Sequence, residues 1–203
     1  LDAESYAVIK DAVSYAISRG IFVVAASGNA GASIDGVYSL ANMEGVISVG
    51  ATNSLDQLTW FSNYGQNLFI TAPGLQVGSV RDGQSYVDSG TSQAASFVSG
   101  ALSILLNKYP NASVKDIESM LARGAADLGD AGWDPRSGYG LLNIAGALQA
   151  GETAIDSIEW VKTPKPVEHT RSISVLPTGV SPQIQAAVTN KKVSETFYQG
   201  EVG

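Results

Sequence analysis

The sequence predicts an α/β fold, a mainly parallel sheet flanked by helices, followed by the start of a β-rich C-terminal domain. Three observations carry that expectation. Between Ser5 and Arg19, apolar residues recur at helical spacing at Ile9, Val13, Ala16 and Ile17. Ile21-Phe22-Val23-Val24-Ala25-Ala26 follows as an unbroken apolar run without alternation, the pattern of a strand covered on both faces in a parallel sheet. Farther on, an extended segment ending in Ser89-Gly90 runs directly into a long apolar helical pattern from Thr91 onward. Helix alternating with buried strand is how α/β domains read.

The elements follow in order. Gly20 closes the first helix as its C-terminal cap. The first strand ends in Ser27-Gly28-Asn29-Ala30-Gly31, a turn-forming cluster at a strand's carboxyl end, where open α/β sheets place their ligands. Gly45 to Thr52 and Asn67 to Gly74 are short apolar strands closed by turn residues. Val77 to Val80 and Gln84 to Val87 flank Arg81-Asp82-Gly83, a hairpin signal. In the central helix Val98, Leu102, Leu105 and Leu106 supply an apolar stripe, and Ala94, Ala95, Ser99, Gly100 and Ala101 are small enough for close approach to neighbouring backbone. Tyr109-Pro110 stops this helix, and Ser113 with Asp116 is placed to cap another carrying Val114, Ile117, Met120 and Leu121. Asn111-Ala112-Ser113 also matches a glycosylation acceptor, for which a helix start is the better explanation. Asn143 to Ala150 reads as a short helix closed by Gly151.

From Glu152 the composition changes to alternating segments, Ser157 to Lys162, Ser172 to Leu176 and Gln183 to Val188, separated by Pro-bearing turns. The expected organisation is therefore residues 1–151 as one domain and 152–203 as a partial β-rich domain or extension. The first methionine is Met43, so a processed product or a piece of a longer chain is expected.

Composition narrows the function classes. The 203 residues carry a net charge of −7, with 44% hydrophobic and 15% charged residues. Nucleic acid is an unexpected partner, because binding it rests on clustered Lys and Arg. No apolar run reaches the roughly 18 to 20 residues that span a bilayer. The chain has no cysteine, which removes disulfides, zinc-thiolate sites and thiol nucleophiles together.

Ser92 stands at a helix N-terminus, where unpaired N–H groups and the positive end of the macrodipole stabilise an alkoxide or a nearby oxyanion. An ordinary capping role is the alternative reading of these residues. The segment Gly90-Thr91-Ser92-Gln93-Ala94-Ala95-Ser96-Phe97-Val98-Ser99-Gly100 resembles the catalytic-serine signature of the subtilisin-like serine proteases, the subtilases (peptidase S8), over Gly90, Thr91, Ser92, Ala94, Val98 and Gly100. It departs at Ser96, where the family usually has proline, a change expected to matter little in a first helical turn. Val23-Val24-Ala25-Ala26-Ser27-Gly28-Asn29 resembles the family segment that supplies the oxyanion-hole asparagine, and Phe61-Ser62-Asn63-Tyr64-Gly65 and Ala72-Pro73-Gly74 resemble further family stretches.

The resemblance covers roughly residues 1–151 and implies the C-terminal part of a catalytic domain. It implies a serine endopeptidase acting on protein or peptide substrates, with Ser92 as nucleophile and Asn29 as an oxyanion donor. Ala26, Ser27 and Gly28 would edge the pocket for the substrate residue before the cleaved bond, facing Ser39, Leu40 and Ala41. The family's Asp and His would lie upstream of Leu1, so the missing N-terminal half of the catalytic domain is an implied partner and this chain alone an expected inactive one. The resemblance also implies a secreted or cell-surface location. No cofactor is expected for the chemistry. Structural calcium is compatible with Asp127, Asp130 and Asp134, for which turn residues in a Gly-rich loop are the better reading.

Two alternatives stand beside this reading. One is a catalytically inactive homologue that binds without cleaving. The other is an α/β-hydrolase-type esterase using Ser92, one of the three aspartates and His169, the only histidine, in that fold's chain order.

Overall fold

The computed structural model describes residues 1–37 and 39–155. The segments expected as strands after Glu152, and His169, lie outside the described residues.

Helix α1, Ala3–Ser18, begins at Asp2, whose carboxylate accepts from the Ser5 N–H at 2.8 Å. It ends in a Schellman motif: Gly20 adopts φ +76°, its N–H reaches the Ile17 carbonyl, and the Ile21 N–H reaches Ala16. That turn hands the chain to β1, Val23–Ala26, which pairs in parallel with β2, Val46–Thr52. Strand β2 pairs in parallel with β3, Leu68–Pro73, giving the order β1-β2-β3 with β2 in the centre. Every residue of β2 is buried, as a central strand covered on both faces requires.

The pleat of period two divides the core between those faces. Ile47, Val49 and Ala51 of β2, with Ile70 and Ala72 of β3, pack into one cluster with helix α2, Thr91–Lys108. Val46 of β2 and Ala25 of β1 pack into a second cluster with Val13 of α1. The free edge of β3 is covered by Tyr139 to Leu142: the Tyr139 N–H donates to the Phe69 carbonyl, and the Leu142 N–H donates to the Thr71 carbonyl. Before α2, the strands β4, Val77–Arg81, and β5, Gln84–Asp88, form the expected hairpin around Asp82-Gly83, both with positive φ.

Helix α2 buries Ala94, Val98, Ala101, Leu102 and Leu105. Leu106, expected in this stripe, is exposed, since it stands about 100° around the helix from Leu105. Ser99 and Gly100 also face outward, and no neighbouring backbone approaches Gly100 among the described residues. Ser96 is the sixth residue of α2, in the second turn and not the first. Its hydroxyl donates to the Ser92 carbonyl at 3.2 Å, an interaction proline lacks.

Helix α3, Val114–Gly124, opens with both halves of the expected capping box between Ser113 and Asp116. Helix α4, Ile144–Ile155, does not stop at Gly151 as expected. Gly151 lies within it, and the position takes a glycine because the Tyr109 ring occupies the space of a side chain: a Cβ there would sit 2.6 Å from Tyr109 Cζ, and the Tyr109 hydroxyl donates to the Leu148 carbonyl.

The Ser113 bonds hold the Asp116 carboxyl below its ordinary value of 3.8. A carboxylate whose folded pKa is depressed contributes stability above the unfolded value and loses it as pH falls through the folded one. Replacing the cap by Ser113→Ala should cost about 1 kcal/mol at neutral pH. Denaturant titration of the complete protein should find that difference narrowing as pH drops below 3.8.

Candidate active site

Because β1, β2 and β3 run in parallel, the loops leaving their carboxyl ends collect on one edge of the sheet. Backbone bonds tie those loops in sequence. The Gly74 N–H, just past β3, donates to the Thr52 carbonyl at the end of β2, and the Gly90 N–H donates to the Gly74 carbonyl at 2.7 Å. Gly90, in extended backbone, is the N-cap of α2, so the start of that helix is fastened to the sheet edge.

Across the edge, the loop after β1 presents Asn29. Its Oδ1 accepts from the Thr91 N–H at 2.9 Å and from the Thr91 hydroxyl at 2.8 Å. The Thr91 hydroxyl accepts in turn from the Gly28 N–H at 3.1 Å. Thr91 is fully buried, so its hydroxyl works in a dry environment, while Asn29 and Ser92 are exposed. With Oδ1 engaged by two donors, the free hydrogens of the Asn29 amide are on Nδ2, on the side of Gly90, where an added Cβ would lie 3.2 Å away.

Ser92 is the second residue of α2, where the first backbone N–H groups lack intrahelical acceptors. Thr91 gives its N–H to Asn29 and Gln93 gives its N–H to Gly90. Among the described residues no acceptor engages the Ser92 N–H, and none engages Asn29 Nδ2. The site therefore offers a hydroxyl, an open backbone donor beside it and an open amide donor fixed by Thr91. Beside Ser92 opens an apolar cavity of about 590 Å³ lined by Val77, Phe97, Ala101, Ile104 and Ile144 among others.

The other residues singled out from the sequence are placed as follows. Ala26 ends β1, with buried Ser27 and then Gly28 leading into the Asn29 turn. Ser39 stands at the N-cap position of a 3₁₀ turn, Leu40–Asn42, without a side-chain capping bond; the turn packs against β1 and β2, with Ala41 buried and Leu40 exposed. Asp134 is buried, and its carboxylate accepts from the Arg136 N–H, the Ser137 N–H and the Ser137 hydroxyl, as a turn residue does. Asp127 accepts from the Gly132 N–H, and Asp130 is exposed. Among the described residues no three His, Asp or Glu side chains gather as a metal site would need.

Sequence reasoning quoted Thr91 and Asn63 inside motifs without assigning either a task. Thr91 locks Asn29, and the signal for it was its place between Gly90 and Ser92. Asn63 bonds the loop around Asn29 from the far side. Its signal was an amide inside the Phe-Ser-x-x-Gly stretch.

Comparison with known proteins agrees with this geometry. The sequence profile described as Peptidase S8, subtilase family, matches residues 2–140. Subtilisin DY of Bacillus licheniformis is 38% identical over 144 residues, covering 70% of this chain and 52% of that protein. Subtilisin BL of Lederbergia lenta is 39% identical over 144 residues, with 70% of this chain and 52% of its own length covered. Minor extracellular protease Epr of Bacillus subtilis (strain 168) is 33% identical over 177 residues, covering 84% of this chain and 27% of that protein. Among solved structures, a lanthipeptide protease superposes with a TM-score of 0.63 at 25% identity, covering 72% of this chain and 54% of its own. The chain thus spans about half the length, or less, of the curated relatives it matches.

The lock on Asn29 has a stability consequence. Thr91→Val keeps much of the side-chain volume but leaves the partly buried Gly28 N–H without its acceptor and Asn29 Oδ1 without one of its two donors. The complete protein should lose about 1 to 3 kcal/mol, read as a lower denaturant midpoint with an unchanged slope.

Proposed function

The chain belongs to the subtilase family, and from that premise we propose that it is the serine-bearing part of a secreted serine endopeptidase. The single observation that supports this most is the juxtaposition of two unengaged donors, Asn29 Nδ2 and the Ser92 N–H, at one helix N-terminus.

In this reading Ser92 Oγ attacks the carbonyl carbon of the scissile peptide. A histidine oriented by an aspartate, both from the part of the catalytic domain outside this chain, takes the serine proton as general base. The tetrahedral intermediate places a negative charge on the former carbonyl oxygen. The Ser92 N–H and Asn29 Nδ2 donate to it, and the N-terminal end of α2 adds its dipole. Collapse breaks the C–N bond, the amine leaves with the proton carried by the histidine, and the acyl group stays on Ser92 Oγ. Water then attacks by the same route and frees the serine. Nucleophile, proton carrier and charge stabilisation are all side-chain and backbone groups, so the chemistry needs no cofactor. The apolar cavity beside Ser92, with Phe97, Ile104 and Ile144 in its wall, gives the remaining part of the catalytic domain a surface to pack on.

Ala26, Ser27 and Gly28 on one side and Ser39, Leu40 and Ala41 on the other are proposed to edge the pocket for the residue preceding the cleaved bond. Small side chains leave it room for a large apolar group. Secretion is proposed by analogy with the relative named as a minor extracellular protease.

Two experiments on the complete protein test these statements. Ser92→Ala should abolish peptide hydrolysis, whereas Asn29→Ala should lower kcat about 100- to 1,000-fold with KM nearly unchanged. An Asn29→Ala enzyme altered only in KM would remove the oxyanion role. Across a peptide series, kcat/KM should be highest with apolar or aromatic residues before the cleaved bond. Equal or better cleavage after acidic residues would rule out the pocket assignment.

A further inference from the structure

We propose that Asn63 is a positioning residue of the oxyanion hole, holding the loop that carries Asn29 in register with Ser92; this rests on the reading of Asn29 as an oxyanion donor. Among the described residues Asn63 makes no hydrogen bond to Ser92 or Thr91. Its effect runs through the loop.

The side chain is used at both ends, and its bonds bracket Asn29 in the sequence. Asn63 Nδ2 donates to the Ser27 carbonyl at 3.0 Å. Asn63 Oδ1 accepts from the Ala30 N–H at 2.9 Å and from the Ala32 N–H at 3.1 Å. The backbone adds to this: the Asn63 N–H donates to the Gly28 carbonyl at 2.9 Å, and the Asn63 carbonyl accepts from the Ser27 hydroxyl at 3.1 Å. Ser27 and Gly28 before Asn29, and Ala30 and Ala32 after it, are therefore all fastened to one residue, Asn63, by its side-chain amide or its backbone, while Asn29 itself remains available to Thr91.

Local geometry fits this task and no other obvious one. Gly28 adopts φ +108°, and a Cβ there would come within 2.4 Å of Asn63 Nδ2, so the absent side chain of Gly28 is what admits the Asn63 amide. Neighbouring backbone bonds join the same two segments, the Gly31 N–H donating to the Phe61 carbonyl and the Tyr64 N–H to the Ala32 carbonyl. Asn63 is itself anchored, since Ser62 Oγ, which donates to the Asn63 carbonyl, accepts from the Ala51 N–H in β2. The position of Asn29 is thus referred back to the central strand through Asn63 on one side and to α2 through Thr91 on the other.

An amide is required because the task needs one donor and two acceptor lone pairs within one short side chain. Alanine removes all three bonds. Aspartate keeps the two acceptors but sets a carboxylate oxygen against the Ser27 carbonyl, so it should loosen the front of the loop only.

The test is a double-mutant cycle in the complete protease, with kcat expressed per active site by burst titration with an ester substrate, so that misfolded enzyme is not counted. Asn63→Ala should lower kcat about 10- to 100-fold, the cost of displacing a catalytic group by a fraction of an ångström to an ångström, with KM within about twofold. Placed on top of Asn29→Ala, the same substitution should cost less than about threefold more, because the group it positions is already gone. Asn63→Asp, which keeps two of the three bonds, replaces Asn63→Ala in the cycle where the latter gives no titratable sites, and the same non-additivity is expected. An equal loss of kcat in both backgrounds, or a raised KM with kcat unchanged, would overturn the positioning role while leaving Asn29 in place. If Asn29→Ala by itself left kcat unaltered, the oxyanion reading would fail first and the proposal with it.

Discussion

The Asn29 Oδ1 atom accepts two hydrogen bonds from one residue, the N–H and the hydroxyl of Thr91, across a gap of 62 residues in the chain. The proposed oxyanion site depends on that pair. It orients the amide so that Nδ2 is the free end, and it leaves the Ser92 N–H as the next unengaged donor of the helix. It also joins the loop after β1 to the start of α2, two segments with no contact in sequence. A preorganised donor is effective because its orientation is set before charge develops.

Such a pair holds its geometry only on a rigid mount. The mount here is the carboxyl edge of the parallel sheet. Gly74 hangs from Thr52 and Gly90 from Gly74, so the first residue before α2 is fixed relative to β2 and β3 by backbone bonds alone. Behind it, Ala94, Val98, Ala101, Leu102 and Leu105 press α2 against Ile47, Val49 and Ala51. Close packing of this kind transmits position, since a core with native density yields little to small displacements.

Much of this was legible from residue pattern. The unbroken apolar run at Val46 to Thr52 and the stripe through Val98, Leu102 and Leu105 identify the central strand and its covering helix, because burial on a strand or helix leaves a periodic trace. The Ser113–Asp116 capping box and the Asp82-Gly83 hairpin were equally plain, being local in sequence. The juxtaposition of Asn29 with Ser92 came from two motifs standing in family order. What the pattern did not carry was set by distant partners. Gly151 looked like a helix end because nothing local announces the Tyr109 ring that takes its place. Leu106 looked like core because an apolar side chain beside a stripe is indistinguishable from one within it until the register of the helix is known. Thr91 and Asn63 remained motif letters because a hydrogen bond across dozens of residues leaves no periodic trace.

The central claim is the proposal that Ser92, among the 24 serines and 10 threonines of the chain, is the nucleophile, set at the start of α2 where the donors for the oxyanion stand. The most direct measurement is covalent labelling of the complete protein with a fluorophosphonate, followed by mass spectrometry of its peptides. The account predicts one modified site, Ser92, and no labelling after denaturation. Labelling at another serine of the folded protein, with Ser92 unmodified, would contradict it.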